Sequence, residues 1–518
     1  MTRLPSSCVF LLLAACGGSE PPDERPNLVL VSVDCLRADH LHCYGYERET
    51  SPVLDRLAAE GVRFQRCVSS TSWTLPAHLS MLTGLPLSGH GVDDERLWTR
   101  VDTDGAALDV PMRGVFLSEV LQESGYDTAG FYTWKYLEPQ FGFGPGFDVY
   151  ERLAHTFYSH PQVGPQFETL SAANDLEGMK ALAAAHPALF DDTTPTAPQV
   201  VDRALAWLEE REGDEPFFLF LHVFDCHDPY SPPPPYDRMF DPEYTGSIDG
   251  RRVTTNDSPV HSGMDPRDLT HLVARYDGAI RYVDSELGRL FDELDARGLR
   301  DSTLIAVTGD HGEEFFEHGR KTHRSQLYLE SVGVPLILRW PEGLRGGEVI
   351  AGNTGLVDLL PTFCAAAQVA APPSMGTDLL PIARGEATNG ARTYISELTL
   401  FDQGAVPRRL VSVLRGDEQR ILASRGSAPW AGVQLDLAAD PLGRGWGTAS
   451  DNPGQDLTRL REALLRLRES LPSRQAGAPM TARDMADLAA MGYGGHGESI
   501  EGQDSDRLIL DGGVWPDE

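Results

Sequence analysis

The chain reads as an α/β protein with three layers around a mostly parallel sheet, followed by a small antiparallel α+β subdomain. Three observations predict this. Asn27–Val33, Pro216–Phe224 and Thr303–Val307 are apolar, largely β-branched or aromatic runs, the make-up of strands buried on both faces. Segments with apolar residues at helical spacing alternate with them, the order of a parallel sheet with crossover helices. The densest polar clusters, at Asp34, Thr74, His227 and Asp310-His311, each fall just after a strand. In open α/β sheets ligands bind at that edge.

The elements follow in order. Residues 1–16 carry one early Arg, a short apolar run from Val9 to Ala15, and Leu13-Ala14-Ala15-Cys16. The run is too short to span a bilayer and has the layout of a signal peptide. It resembles a bacterial lipoprotein signal, which implies lipidation at Cys16; a plain secretory signal is the alternative. Residues 17–26 are a polar, Pro-containing tether. The expectation is an exported protein held to the cell envelope by its lipid alone. Gly17, rather than Asp, after the cysteine favours an outer membrane where there is one.

Residues 27–388 form the expected catalytic domain. After the first strand come a helix over 51–60, a strand over Val62–Val68, and a turn that opens a short helix at Thr74 and ends it at Gly84. A helix over 114–124, a strand over 127–133 and a long irregular segment over 134–195 follow. Then come a helix over 197–211, the strand Pro216–Phe224, a Pro-rich loop over 228–265, a helix over 268–297, and strands Thr303–Val307 and Val334–Trp340. Polar, Gly-rich composition near 385–392 marks a boundary. Residues 389–495 are the C-terminal subdomain, with strands Thr393–Leu398, Arg409–Leu414 and Arg420–Ser424 and a helix Leu457–Leu471. Residues 496–518 are acidic and loose.

Composition excludes some functions. The 518 residues hold 77 acidic and 44 basic side chains, a net charge of -33. That opposes a nucleic-acid surface and a polybasic membrane surface. Seven cysteines are scattered without C-x-x-C spacing, so they are neither a disulfide framework nor a zinc-finger pattern. A single disulfide stays open.

The chemistry lies in the strand-end clusters. Asp34, Asp310 and His311 supply two carboxylates and an imidazole, which with the Thr74 hydroxyl suit one divalent cation: zinc or manganese, or calcium if more oxygens join. Such an ion lowers the pKa of the Thr74 hydroxyl and makes it a nucleophile. His78 shares a helix face with Thr74. His227 and His323 are placed to hydrogen-bond non-bridging oxygens or to protonate a leaving group. The alternatives are ordinary ones. Thr74 and Asp34 are also good helix caps, and the loop Glu313 to Arg324, with His318 and His323, also reads as a solvated polar face.

Together these motifs resemble the sulfatase family of the alkaline phosphatase superfamily, over most of residues 27–495. Val33-Asp34-Cys35-Leu36-Arg37 resembles its N-terminal metal strand. Thr74-x-Pro76-x-His78 with Leu82-Thr83-Gly84 matches in position its C-x-P-S-R…L-T-G signature. Phe224-Asp225-Cys226-His227-Asp228-Pro229-Tyr230 resembles its substrate-binding histidine turn, and Thr308-Gly309-Asp310-His311-Gly312-Glu313 its second metal motif. Leu327-Tyr328-Leu329-Glu330, Leu435-Asp436-Leu437 and Met491-Gly492-Tyr493 resemble later family stretches.

The departures shape the function that the resemblance implies. Family sulfatases oxidise a Cys or Ser to formylglycine. Position 74 is Thr, whose methyl-bearing β-carbon cannot become an aldehyde. Thr is the nucleophile in phospho-transferring relatives. Cys35 stands where the family has a second Asp, so a carboxylate ligand is missing; the thiol is either a soft-metal ligand or, as expected here, a buried non-ligand. His78 replaces an Arg, and His323 or Lys321 a Lys. The expected activity is therefore metal-dependent hydrolysis of phosphate mono- or diesters, of small-molecule, glycan or lipid type, through a covalent intermediate on Thr74. Transfer to an alcohol, sulfate-ester hydrolysis, and an inactive surface-anchored binding protein are the alternatives.

Overall fold

A computed structural model describes residues 25–94, 97, 111–153, much of 163–186, 196–254, 258–400, 407–426, 428–450 and most of 462–475. The expected signal, Cys16, most of the tether, the start of the 457–471 helix, Met491-Gly492-Tyr493 and the acidic tail lie outside these residues. Residues 466–470 are helical.

The central sheet has nine strands. Asn27–Val33 lies in its middle, parallel to Phe217–Val223 on one side and Thr303–Gly309 on the other. Asp127–Tyr132 continues it in parallel beyond Phe217–Val223, and Val149–Arg152 forms that edge. On the other side Leu336–Arg339 runs antiparallel to Thr303–Gly309 and to Val62–Val68. Two antiparallel steps give Val62–Val68 the same direction as the central strands, so its end meets the same sheet edge. Gly333–Val334 and Glu348–Gly355 also pair with it.

Alternation along the central strands fills two cores. Leu28, Leu30, Phe218, Phe220, Leu304 and Ala306 face one side. Val29, Val31, Leu219, Leu221, Ile305 and Val307 face the other. On the second side lie Pro52–Glu60, Ala197–Glu210 and the 31-residue helix Pro266–Ala296. On the first lie Thr74–Thr83, Leu117–Glu123 and Leu359–Ala366. Helices on both faces make the three layers that the alternating pattern predicts.

The C-terminal antiparallel sheet has five strands: Thr393–Leu400, Arg408–Arg415, Glu418–Arg425, Ala431–Asp436 and Thr448–Ser450. Leu410, Leu414, Ile421 and Leu435 join the same apolar cluster as Leu327 and Tyr328, which precede this sheet in the chain.

The structure differs from the sequence reading at four places. The segment 134–195 is not irregular throughout: Val149–Arg152 is the edge strand and Val163–Ala172 is a helix. Val334–Trp340 is not one strand, because Pro335 has no N–H to give to a ladder and separates Gly333–Val334 from Leu336–Arg339. Glu348–Gly355 is a further strand: its apolar stretch Val349-Ile350-Ala351 is short and largely exposed, and the ladder is broken by a register shift between Ile350 and Asn353. The loop from Glu313 is not a solvated face: Glu313, Glu314, His318 and His323 are buried.

Candidate active site

Each strand end delivers one group. Asp34 follows Asn27–Val33, and Asp310 and His311 follow Thr303–Gly309. The glycines of the second motif let backbones meet. A Cβ on Gly309 would lie 2.5 Å from Leu36 O, and one on Gly312 would lie 2.0 Å from Glu330 O. Val62–Val68 leads into the helix Thr74–Thr83, every residue of which is buried. Gly84 ends that helix in the left-handed conformation, its N–H donating to Ser80 O. Thr74 is the first helical residue and not its N-cap, and Trp73 in the cap position makes no side-chain cap bond. The hydroxyl is free for other work.

Thr74 Oγ1 donates to Asp34 Oδ2 at 3.4 Å and lies 3.3 Å from His311 Nε2. His311 Nδ1 donates to Gly312 O at 2.9 Å, so Nε2 carries the lone pair that faces the site. That nitrogen is 3.4 Å from Asp34 Oδ1 and 3.4 Å from Asp310 Oδ2. Asp310 Oδ1 accepts the amides of His311 at 2.8 Å and Cys35 at 3.2 Å. Asp310 Oδ2 is buried with no hydrogen-bond partner.

The electrostatics fit a cation. Burial, and then the neighbouring Asp34 charge, push the Asp310 carboxyl up. Burial works against the Asp34 charge too, but the hydrogen bond from His222, with His227 and His311 nearby, holds that carboxyl down. Burial, and then His323, lower the His311 pKa to about 3, which keeps its imidazole neutral as a metal ligand requires. Asp34, Asp310 and His311 present ligand atoms within 4.8 Å of one another. The orphaned Asp310 oxygen and two buried carboxylates side by side are what a divalent ion of the expected class would satisfy.

His227 and His323 border this set, their rings 4.8 Å apart, with His323 4.6 Å from His311. Burial opposes the His227 charge, but the Asp228, Asp34 and Glu313 carboxylates outweigh it and raise the pKa. Burial, and then His227, lower His323 to about 3. Lys321 is elsewhere: its Nζ donates to the carbonyls of Val253 and Val260, at 2.7 Å each. Of the two candidates for the family lysine, the structure brings only His323 to the site. His318 is also apart, stacked on Tyr328 and 2.5 Å from Glu330.

His78 is below the site. Its Nδ1 donates to Thr74 O at 2.9 Å, and its Nε2 accepts from Ser32 Oγ at 2.9 Å. Both nitrogens are used, and the ring is fully buried.

Sequence reasoning missed His222. Its Nε2 donates to Asp34 Oδ2 at 3.2 Å, and its Nδ1 accepts from Thr133 Oγ1 at 3.2 Å. One signal was available: an imidazole inside the apolar strand Phe217–Val223, in phase with Phe218 and Phe220. Ser32 shows the same parity in its own strand. Glu313, fully buried and 3.1 Å from His323 Nδ1, was also missed.

A hydroxyl aimed between two aspartates and a neutral imidazole, at the carboxyl edge of a three-layer sheet, belongs to enzymes that hydrolyse phosphoric or sulfuric esters. Residues 26–369 match the family profile of the sulfatases, and the chain belongs to that family. It is 29% identical over 394 residues to the multifunctional alkaline phosphatase superfamily protein PehA of Trinickia caryophylli, covering 65% of this chain and 73% of that one. It is 24% identical over 451 residues to N-acetylglucosamine-6-O-sulfatase of Bacteroides thetaiotaomicron, covering 74% and 75%. Its fold is similar to that of a phosphonate monoester hydrolase of Agrobacterium radiobacter, with a TM-score of 0.59, 22% identity and coverage of 86% of this chain and 96% of that one.

Proposed function

We propose that this hydrolase acts on phosphate esters, with Thr74 as the nucleophile. The observation that carries the reading is Thr74 Oγ1, 3.4 Å from Asp34 Oδ2 and 3.3 Å from His311 Nε2 at the start of a buried helix. A threonine there has no route to formylglycine, while its hydroxyl is a competent nucleophile for phosphorus.

Asp34, Asp310, His311 and Thr74 would hold the divalent cation, which when bound lowers the hydroxyl pKa and polarises the phosphoryl oxygens. Thr74 Oγ forms a bond to phosphorus as the bond from phosphorus to the leaving oxygen breaks. His227 and His323 serve the leaving side by hydrogen bonding or by donating a proton to the departing oxygen. Water then attacks the phospho-threonine, releasing phosphate and restoring the hydroxyl. An alcohol in place of water gives transfer. His78 has both nitrogens engaged and acts as a positioning residue for the Thr74 turn. His222 does the same for Asp34. The segments 134–195 and 228–265 set substrate choice. Export with a lipid on Cys16 completes the reading, and a mature N-terminus starting at an acylated Cys16 is the mass-spectrometric result that supports it.

The test is a paired assay of aryl phosphate mono- and diesters against aryl sulfates with the metal-loaded protein and Thr74→Ala. Phosphate turnover above sulfate turnover, lost in the variant, supports the reading. Sulfate turnover well above phosphate turnover turns it over in favour of a sulfuric ester hydrolase. Equal rates in protein and variant remove Thr74 as the nucleophile.

A further inference from the structure

One residue joins the two carboxylates assigned to the cation. Cys35 follows Asp34 directly, and its amide donates to Asp310 Oδ1 at 3.2 Å. Its φ is 58°, in the left-handed region that a residue with a Cβ enters only against steric resistance. Asp34, Cys35 and Asp310 are all fully buried. Relaxation at Cys35 would re-aim either its amide, and with it the bond to Asp310, or the chain beyond it. The pair of carboxylates therefore depends on a conformation that the residue does not favour by itself.

The long helix Pro266–Ala296 supplies the restraint. Tyr276 Oη donates to Cys35 O at 2.6 Å and accepts from the Arg37 amide at 3.0 Å. One hydroxyl thus satisfies the two peptide groups on either side of Leu36. Tyr276 is fully buried, so no solvent is at hand to replace either bond.

The tyrosine ring is fixed in turn by three loops. Its centroid lies 5.2 Å from that of His40, 5.8 Å from that of Tyr230 and 5.1 Å from that of Phe315. These residues come from the segments that follow Asp34, His227 and His311, so the ring sits where the loops that carry the site meet. The next residue, Asp277, accepts from Tyr46 Oη at 2.7 Å and from Arg48 at 2.6 Å. Those bonds hold the helix at this level without help from the Tyr276 hydroxyl.

We propose that Tyr276 is a positioning residue for the metal-binding carboxylates: its hydroxyl clamps Cys35 in the left-handed turn that holds Asp34 and Asp310 together before an ion arrives. The inference rests on the reading of these two aspartates as cation ligands. It does not depend on whether phosphorus or sulfur is attacked. The clamp acts through Cys35. It spares the incoming ion the work of forcing the turn, so more of the binding energy appears as affinity.

The test makes Tyr276→Phe in two backgrounds. Phenylalanine keeps the ring and its packing against His40, Tyr230 and Phe315. Zinc and manganese titrations of the full chain, followed by calorimetry, are expected to show an affinity loss of about tenfold or more in the otherwise unaltered protein. In a Cys35→Gly background the same substitution is expected to lower affinity about threefold or less, because glycine takes positive φ freely and needs no clamp. Comparison within each background cancels the loss of the thiol, which lies 3.3 Å from Asp34 Oδ1. A general packing defect would lower affinity alike in both. Equal losses in the two backgrounds, no loss in the first, or an unaltered protein that binds neither ion overturns the proposal. Amide exchange of the unaltered protein in chelator decides the matter if a variant fails to fold. The Arg37 amide is expected to exchange as slowly as those of the buried strand Asn27–Val33, and ready exchange overturns the clamp. Sulfate turnover above phosphate turnover, with both affinity results as expected, sinks only the phosphoester reading.

Discussion

The hydroxyl of Thr74 stands 3.3 Å from Nε2 of His311, although 237 positions separate the two residues in the chain. The helix that carries Thr74 is buried along its whole length, so the hydroxyl is presented by a rigid element. Removing it should end the reaction. Thr74→Ala is expected to lower kcat for an aryl phosphate on the order of 10⁴-fold or more, and Thr74→Ser to retain a measurable part of it. Acid quench of the unaltered protein with labelled substrate should trap phosphate on Thr74. A labelled Thr74→Ala protein would contradict this.

His222 should behave as a positioning residue. It donates to Asp34 Oδ2 at 3.2 Å, the oxygen that also accepts from Thr74 Oγ1, and so acts on Thr74 through that carboxylate. His222→Ala is expected to weaken metal affinity about 10- to 100-fold, the usual cost of losing an outer partner of a ligand. Metal titration followed by calorimetry reads this directly. Saturating metal should restore much of kcat. A loss of kcat that metal cannot rescue would assign His222 a part in the chemistry.

Metal removal should cost stability as well as activity. Asp34 and Asp310 are fully buried and close together, and without a cation their charges repel. An ion present at 100 times its dissociation constant stabilises the folded state by about 2.7 kcal/mol. Chelation is therefore expected to lower Tm by several degrees, with re-addition of zinc, manganese or calcium ranking the ions by recovery. An unchanged Tm in chelator would count against a bound ion.

One pH effect lies far from the site. Asp284, on the long helix, accepts the amides of Val53 at 3.0 Å and Leu54 at 2.9 Å. Burial nevertheless pushes its pKa up to about 7. An unfolded chain gives an aspartate a pKa of about 3.9. Between those values the folded state binds more protons, so this contribution to stability is complete below about pH 3.9 and is lost as pH rises through 7. Asp284→Asn should cost about 1 kcal/mol at low pH, for the lost acceptor, and should gain on the unaltered protein as pH rises. Urea unfolding from pH 5 to 8 checks this. Parallel curves for the two proteins would refute it.

The sequence was legible where one residue type in one local setting carries the message. Asp34, Thr74, His227 and Asp310-His311 each follow a strand that its own apolar run announces, and the structure brings all of them to one edge. His222 was hidden because a histidine inside an apolar strand reads the same whether it packs or hydrogen-bonds a distant carboxylate. His78 gave the opposite difficulty: its spacing from Thr74 is that of a catalytic partner, but Ser32 takes its second nitrogen. The choice between Lys321 and His323 turned on a loop closure that draws the lysine to Val253 and Val260.

By itself the sequence determined the three-layer α/β class, the strand ends that carry the polar clusters, the threonine at position 74 and the acidic composition. These follow from composition and short-range periodicity, which are local properties. Tertiary structure alone decided which polar groups meet. It set His222 behind Asp34 and His78 beneath Thr74, because contacts between residues from different strands depend on sheet order and register, and no local pattern encodes them.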